Sequence, residues 1–225
     1  MLLGIETSTK NCSIALFKDG VQLGAYDERG DRFVHGERLH VMIQDLLHKH
    51  GAIPKDLSGI IVGEGPGSYT GLRIGTSTAK GLAFALNIPM YAVPTLGCFD
   101  FSSFESNYCI SVLDARRDEV FAQVWKNTSG GFEASGDIEA VIVDDQSWDH
   151  LRGESVTVIG DCADKMTDLL SSSLPANWTI APTAYPSAST MHTYLGPSLA
   201  PVDTAYFEPF YLKDFVAEKS KKKYL

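Results

Sequence analysis

The 225-residue sequence predicts an α/β protein of two lobes, each a mixed sheet with flanking helices, the first spanning residues 1–104 and the second residues 105–225. Two observations carry this expectation. One is a strand, glycine loop, helix, strand unit between Ile60 and Val93. The other is the hairpin that opens the chain, whose pattern returns from Tyr108 onward, so that two halves share one order of elements.

Leu2 to Glu6 reads as a first strand, Thr7 to Asn11 as a polar turn, and Cys12 to Phe17 as a second strand of alternating faces. Asp19-Gly20 then turns the chain into a third strand, Val21 to Tyr26. Glu37 to Lys49 is an amphipathic helix, with Leu39, Met42, Ile43, Leu46 and Leu47 at helical spacing and Gly51 as its stop. His35, His40, His48 and His50 share no face at ligand spacing and are expected to face solvent.

Ile60 to Val62 is a short β-branched run that Gly65-Pro66-Gly67 breaks, and Leu72 to Leu86 then runs without proline to Asn87-Ile88-Pro89. Met90 to Val93 returns as a parallel strand. The loop lacks the Gly-Lys-Ser/Thr of a P-loop and the G-x-G-x-x-G spacing, which leaves a tight turn and an anion site both open; Thr7, Ser8, Gly65 and Gly67 are its candidate contacts. Within the helix, Gly71, Gly75, Ala79 and Ala83 form a strip almost without side chains. Glycines inside a helix cost roughly 1 kcal/mol each against alanine, so either the helix's own sheet or the close approach of another backbone should fill that strip.

Pro94 to Asn107 has no clear period and holds Phe99, Phe101 and Phe104, where the lobes are divided. Tyr108 to Leu113 and Glu119 to Trp125 are strands about a charged turn, Asp114 to Asp118, expected to be salt-bridged. Asn127 to Gly136 reads as a flexible connection, Ile138 to Val143 and Val156 to Gly160 as strands, and Asp145 to Leu151, Ala163 to Leu170 and Ser187 to Leu195 as helices. The segment Phe207 to Lys213, aromatic and marked by Pro209, is expected to lie against the second lobe.

Composition bounds the function. With 44% hydrophobic and 21% charged residues the chain is an ordinary globular protein. A net charge of −9, with Lys219, Lys221, Lys222 and Lys223 as the one basic run, argues that any nucleic-acid role is indirect. Cys12, Cys98, Cys109 and Cys162 are scattered and read as buried free thiols, with no metal site among them. No apolar run is of membrane-spanning length and Met1 to Glu6 lacks signal-peptide character, so a cytoplasmic location without membrane attachment is expected.

Four motifs carry a family resemblance: Gly4 to Thr9 with Cys12 to Leu16, Gly65 to Gly75, Leu113 to Phe121, and Glu208 to Lys213. Together they resemble the TsaB (YeaZ) proteins of bacterial tRNA threonylcarbamoyladenosine (t6A) synthesis, within the actin-like ATPase, sugar kinase and Hsp70 superfamily. The sibling TsaD proteins carry a His-x-x-x-His metal pair where this sequence reads Val93 to Asp100 and has no histidine. The resemblance therefore implies a paralogue without catalysis of its own, a component of the complex that transfers threonylcarbamoyl to adenosine 37 of tRNAs reading ANN codons. It implies docking on a TsaD-like catalytic subunit together with a TsaE-like ATPase, a homodimer when alone, tRNA contact only through the complex, and no tightly bound cofactor beyond an ATP or ADP shared at the interface. The implied interface is the helix pair, through Leu39, Met42, Ile43, Leu46, Gly71, Arg73, Ile74, Gly75, Thr78, Ala79 and Leu82. The rival readings are a stand-alone ATPase or small-molecule kinase of the same fold, and a self-associating structural protein.

Overall fold

A computed structural model describes residues 1–30, 34–196 and 198–213. The first sheet is built from β1 (Leu2–Glu6), β2 (Asn11–Lys18) and β3 (Val21–Arg29), an antiparallel meander; α1 (His35–Lys49) follows, and then β4 (Gly59–Gly63), α2 (Tyr69–Leu86) and β5 (Met90–Val93). Its strand order is β3-β2-β1-β4-β5, with β1, β4 and β5 mutually parallel. The apolar stripe of α1 does what its spacing predicts: Leu39, Met42, Ile43, Leu46 and Leu47 are all buried in one core with Leu3, Ile5, Ile14 and Ile60. Both ends of α2 are capped locally. Ser68 accepts a hydrogen bond from the Gly71 amide, and Asn87 takes the left-handed conformation that ends the helix one residue before Ile88-Pro89.

The second sheet repeats the plan. β6 (Tyr108–Asp114) and β7 (Glu119–Thr128) form the hairpin, β8 (Gly131–Ala134) and β9 (Glu139–Ile142) both pair with β7, and β10 (Val156–Gly160), α3 (Ala163–Leu170) and β11 (Trp178–Ile180) complete the lobe. The order is β11-β10-β6-β7-β8, with β6, β10 and β11 parallel. Trp125, Trp148 and Trp178 are buried here, and the Trp125 indole donates to the Ser111 hydroxyl at 2.8 Å.

Several local expectations give way to the structure. The connection expected to be flexible, 127–136, is a hairpin: β7 runs to Thr128 and Gly131 (φ +112°) turns it into β8. Its glycines and serines supply turn geometry rather than looseness. Only Asp149–Leu151 of the helix expected over 145–151 is helical, as one 3-10 turn, and Ala188–Tyr194 is a 3-10 helix. His35 faces inward, with its Nε2 2.7 Å from the Thr9 carbonyl oxygen; it stands at the first turn of α1, where that helix crosses the β1–β2 turn. The four cysteines are free and buried, as expected. Lys219 to Lys223 lie outside the described residues.

The chain does not stay in the second lobe. Ala188 and Met191 pack beneath β1 and β2, with the Ala188 amide donating to Ser13 Oγ at 2.8 Å. Val202 bridges Met90 on the β5 edge, and Phe207 joins the core under α1 and α2, so the segment expected on the second lobe is fastened to the first.

Candidate functional site: the inter-lobe cleft and the helix pair

Glu6 organises the C-terminal ends of β1 and β4. Fully buried, its carboxylate accepts the Ser8 amide at 2.7 Å on one oxygen and the Thr95 hydroxyl at 3.1 Å on the other. Thr95 in turn accepts the Gly65 amide at 3.1 Å, which ties the glycine loop to the first turn. Burial raises the Glu6 carboxyl above its ordinary range, and the four hydrogen bonds from this turn and Thr95 only partly offset that. Gly63 has to be glycine because a Cβ there would stand 1.9 Å from Glu6 Oε2.

Of the four loop candidates, two border open space, Ser8 from a buried position. Ser8 and Gly67 line a cleft of about 820 Å³ between the lobes. They touch each other through the Ser68 amide, 2.6 Å from the Ser8 carbonyl oxygen, an approach that a side chain at 67 would block. Thr7 and Gly65 turn away from it. Thr7 Oγ1 donates to the Gly71 carbonyl at 2.8 Å inside the fold, and Gly65 (φ +114°) packs against the Phe210 carbonyl.

The far wall is the β6–β7 turn and the start of α3. Arg116 and Arg117 both take left-handed backbone conformations, φ +72° and +51°, at the turn's tip. For non-glycine residues that costs of order 1 kcal/mol or more each, a strain found mostly where the chain has a task beyond turning. Asp114 of the turn pairs with Lys165 of α3 at 2.7 Å, and the same ammonium donates to the Glu119 carbonyl at 2.7 Å. Asp161, largely buried, accepts the Asp114 amide at 2.9 Å, and its carboxyl is pushed up to about 6, chiefly by burial and then by the nearby Asp114 charge. Lys10, Arg116, Arg117, Lys165 and Lys213 make this cleft cation-rich in a protein of net charge −9. Lys10, Lys165 and Lys213 had no signal in the sequence, because they converge only when the lobes meet.

The helix pair is placed differently from the expected interface. Leu39, Met42, Ile43 and Leu46 are spent on the chain's own core. So is the small-residue strip: a Cβ on Gly71 would stand 2.0 Å from the Thr7 carbonyl oxygen, one on Gly75 would stand 2.3 Å from Thr7 Oγ1, and Ala79 is fully buried. The turn after β1 is what fills it. Seven of the eleven residues therefore point inward, because the stripe that makes a helix amphipathic faces the nearest sheet. What remains outside is a shallow groove of about 550 Å³ between the helices, walled by His40, Arg73, Ile74, Ser77 and Thr78 and bounded by Tyr69. Leu82 is half-buried against the core, and Phe84 beyond it is 85% exposed. Arg73 lies over the Tyr69 ring and donates to its hydroxyl at 2.8 Å. His40, Ser77 and Phe84 follow from helical spacing as the polar-side neighbours of the buried stripe.

A family model described as TsaD, tRNA N6-adenosine threonylcarbamoyltransferase, matches residues 33–130, the stretch that carries both helices and the β6–β7 turn. The Escherichia coli K12 protein named tRNA threonylcarbamoyladenosine biosynthesis protein TsaB is 36% identical over 163 residues, 70% of each chain. This chain belongs to the TsaB family. A second TsaB relative, from Bacillus subtilis, is 35% identical over 59% of this chain and 58% of its own length. YeaZ from Pseudomonas aeruginosa superposes with a TM-score of 0.76 at 25% identity, covering 94% of this chain and 99% of that one. The TsaB fold here is thus the expected pair of lobes, each a mixed sheet with flanking helices. In this TsaB chain the stretch Val93 to Asp100 closes into a buried 3-10 turn at Thr95–Gly97, and no group of three or more His, Cys, Asp or Glu is gathered among the described residues. No helix among them is long and apolar enough to cross a membrane.

Proposed function

We propose that the chain is a non-catalytic partner subunit in formation of t6A at adenosine 37 of tRNAs reading ANN codons. It docks on a TsaD-like catalytic subunit and activates it, together with a TsaE-like ATPase, and it pairs with itself when alone. The observation that carries this reading is its 36% identity to a protein named for t6A biosynthesis over 70% of both chains. The match of residues 33–130 to the TsaD family model supports the choice of partner. Two proteins that share the α1–α2 pair can lay those pairs against each other, ridge into groove.

The docking residues are those facing the groove: Arg73 and Ile74 of the expected interface over the buried Thr78, with His40, Ser77 and the exposed Phe84 beside them. In this reading the glycine strip does not make the contact, because Thr7 of the same chain packs against it. A shared ATP or ADP belongs in the cation-rich cleft, its phosphates within reach of Ser8, Gly67, Lys10 and Arg117. Binding there is weak in this reading, because Lys165 and Lys213 are already neutralised by Asp114 and Glu119. Arg73→Glu, at an exposed residue of the groove, tests the docking reading in a strain depleted of the native protein. The variant should stay folded, lose the TsaD-like partner in pull-down, and fail to restore t6A in digested tRNA; restoration at the wild-type level would sink it.

A further inference from the structure

Two stretches of chain carry the backbone between the lobes, 94–107 after β5 and 181–187 after β11, and they run side by side, with the Ser187 amide donating to the Cys98 carbonyl at 2.8 Å. Adjacent crossings of this kind form a hinge. A third connection is made without any covalent need for it, by residues 202–213. This segment is fastened to the first lobe by several contacts. Val202 bridges Met90; Lys80 Nζ donates to the carbonyls of Ala205 and Phe207 at 2.9 and 3.0 Å; Phe207 enters the core; and the Phe210 amide donates to the Glu64 carbonyl at 2.7 Å. Its far end then reaches over. Leu212 packs against the cluster that joins Leu113, Phe121 and Ile159 of the second lobe to Leu96 and Phe99 of the crossing after β5, and Lys213 pairs with Glu119 of β7. Residues 210–213 form part of the cleft wall.

The asymmetry of these contacts decides which end can release. Among the described residues, several fastenings hold the segment to the first lobe, while one half-buried leucine and one ion pair, both of whose side chains are partly exposed, hold it to the second. Exposed ion pairs are weak and are screened by salt. From this we infer that residues 202–213 are a latch: anchored on the first lobe, they hold the lobes closed through Leu212 and Lys213, and the release of those two residues sets the aperture of the cleft. Phosphate-bearing or other ligands would enter by that release. The inference is independent of the proposed role in t6A formation.

The test uses the full chain with single spin labels on cysteines introduced at Lys55 and Asp168, exposed positions in the first and second lobes. The four native cysteines are buried and stay unlabelled. Pulsed distance measurements should show a longer and broader separation in Leu212→Ser/Lys213→Ala than in the wild type, and a partial shift in Lys213→Glu, which changes an exposed side chain alone and guards against simple misfolding. Lys213→Arg should restore the wild-type separation. Raising salt from 20 mM to 1 M should lengthen the wild-type distance and leave the Lys213→Ala distance unchanged, since the Debye length falls from about 20 Å to about 3 Å over that range. A segment that only adds stability would lower the unfolding midpoint in these variants without moving the labels. Unchanged separations in Lys213→Glu and in the double variant, at both salt levels, overturn the latch.

Discussion

Thr7 and Gly75 stand so close that a methyl group on Gly75 would lie 2.3 Å from Thr7 Oγ1, while that same hydroxyl donates to the Gly71 carbonyl at 2.8 Å. The turn after β1 thus occupies the strip on α2 that helical spacing alone leaves open to any neighbour. Two glycines in the helix interior are compensated inside the monomer.

Gly75→Leu should consequently damage the monomer before it can report on any partner. Overpacking a filled site costs typically 1–3 kcal/mol, and the clash here is with a turn that is itself pinned by Glu6. Urea unfolding of the isolated protein should show a midpoint well below that of the wild type. Thr7→Val should also lose about 1 kcal/mol through the missing hydrogen bond to Gly71.

Arg73→Glu and Ile74→Asp change the outer wall of the helix groove and touch none of the filled strip. Arg73→Glu should leave the unfolding midpoint within about 0.5 kcal/mol of the wild type, as surface substitutions usually do, whereas Ile74→Asp, at a half-buried residue packed against the first core, should lower it. Partner affinity in a titration against an immobilised TsaD-like subunit should fall at least tenfold, about 1.4 kcal/mol. Equal affinity in both variants would move the docking surface elsewhere.

Asp161 gives the protein a pH dependence of definite sign. Its native carboxyl holds a proton up to about pH 6, whereas the unfolded chain releases it near the ordinary 3.8. Between those values the native state binds more protons, so this contribution to stability is full below about pH 4, falls as pH rises towards 6, and stays flat above it. Asp161→Asn keeps an oxygen for the Asp114 amide and removes the titration. Denaturant midpoints taken from pH 4 to pH 7.5 should slope downward for the wild type more than for the variant.

Burial raises the Cys12 thiol to about 12 and pushes Cys98, Cys109 and Cys162 well above their usual range. Thiolate is the reactive form, so none of the four should react with a thiol-specific disulfide reagent in the native protein near pH 8. Four equivalents should appear on unfolding. Fast native labelling of Cys98 would mean that the core beneath the Thr95–Gly97 turn opens readily.

Much of the fold is legible from one-dimensional signals. The period of Leu39, Met42, Ile43, Leu46 and Leu47 fixes α1 and its buried face, and the glycine loop between Ile60 and Leu72 separates β4 from α2. The Asn87-Ile88-Pro89 stop ends α2, and the alternation in Glu119 to Trp125 marks β7. Signals of composition fare worse. The glycines and serines of 127–136 read as looseness and are a hairpin turn; His35 reads as solvent-facing and is buried against Thr9, a residue that no local pattern places beside it. The expected interface suffers from the same limit, since an apolar or small-residue stripe marks the face that packs without saying on what.

The sequence by itself determined the order and type of most elements, the doubled hairpin plan, the buried thiols and the family, because each of these rests on residues near one another in the chain or on motifs read as strings. Tertiary structure alone decided what the glycine strip packs on, which loop residues reach the cleft, and where the chain's last described segment lies. Those outcomes depend on contacts such as Thr7 with Gly71, Asp114 with Lys165, and Phe210 with Glu64, whose partners stand far apart in sequence. Closing such distances costs chain entropy that only the summed burial of both cores can offset, so no local stretch carries the information.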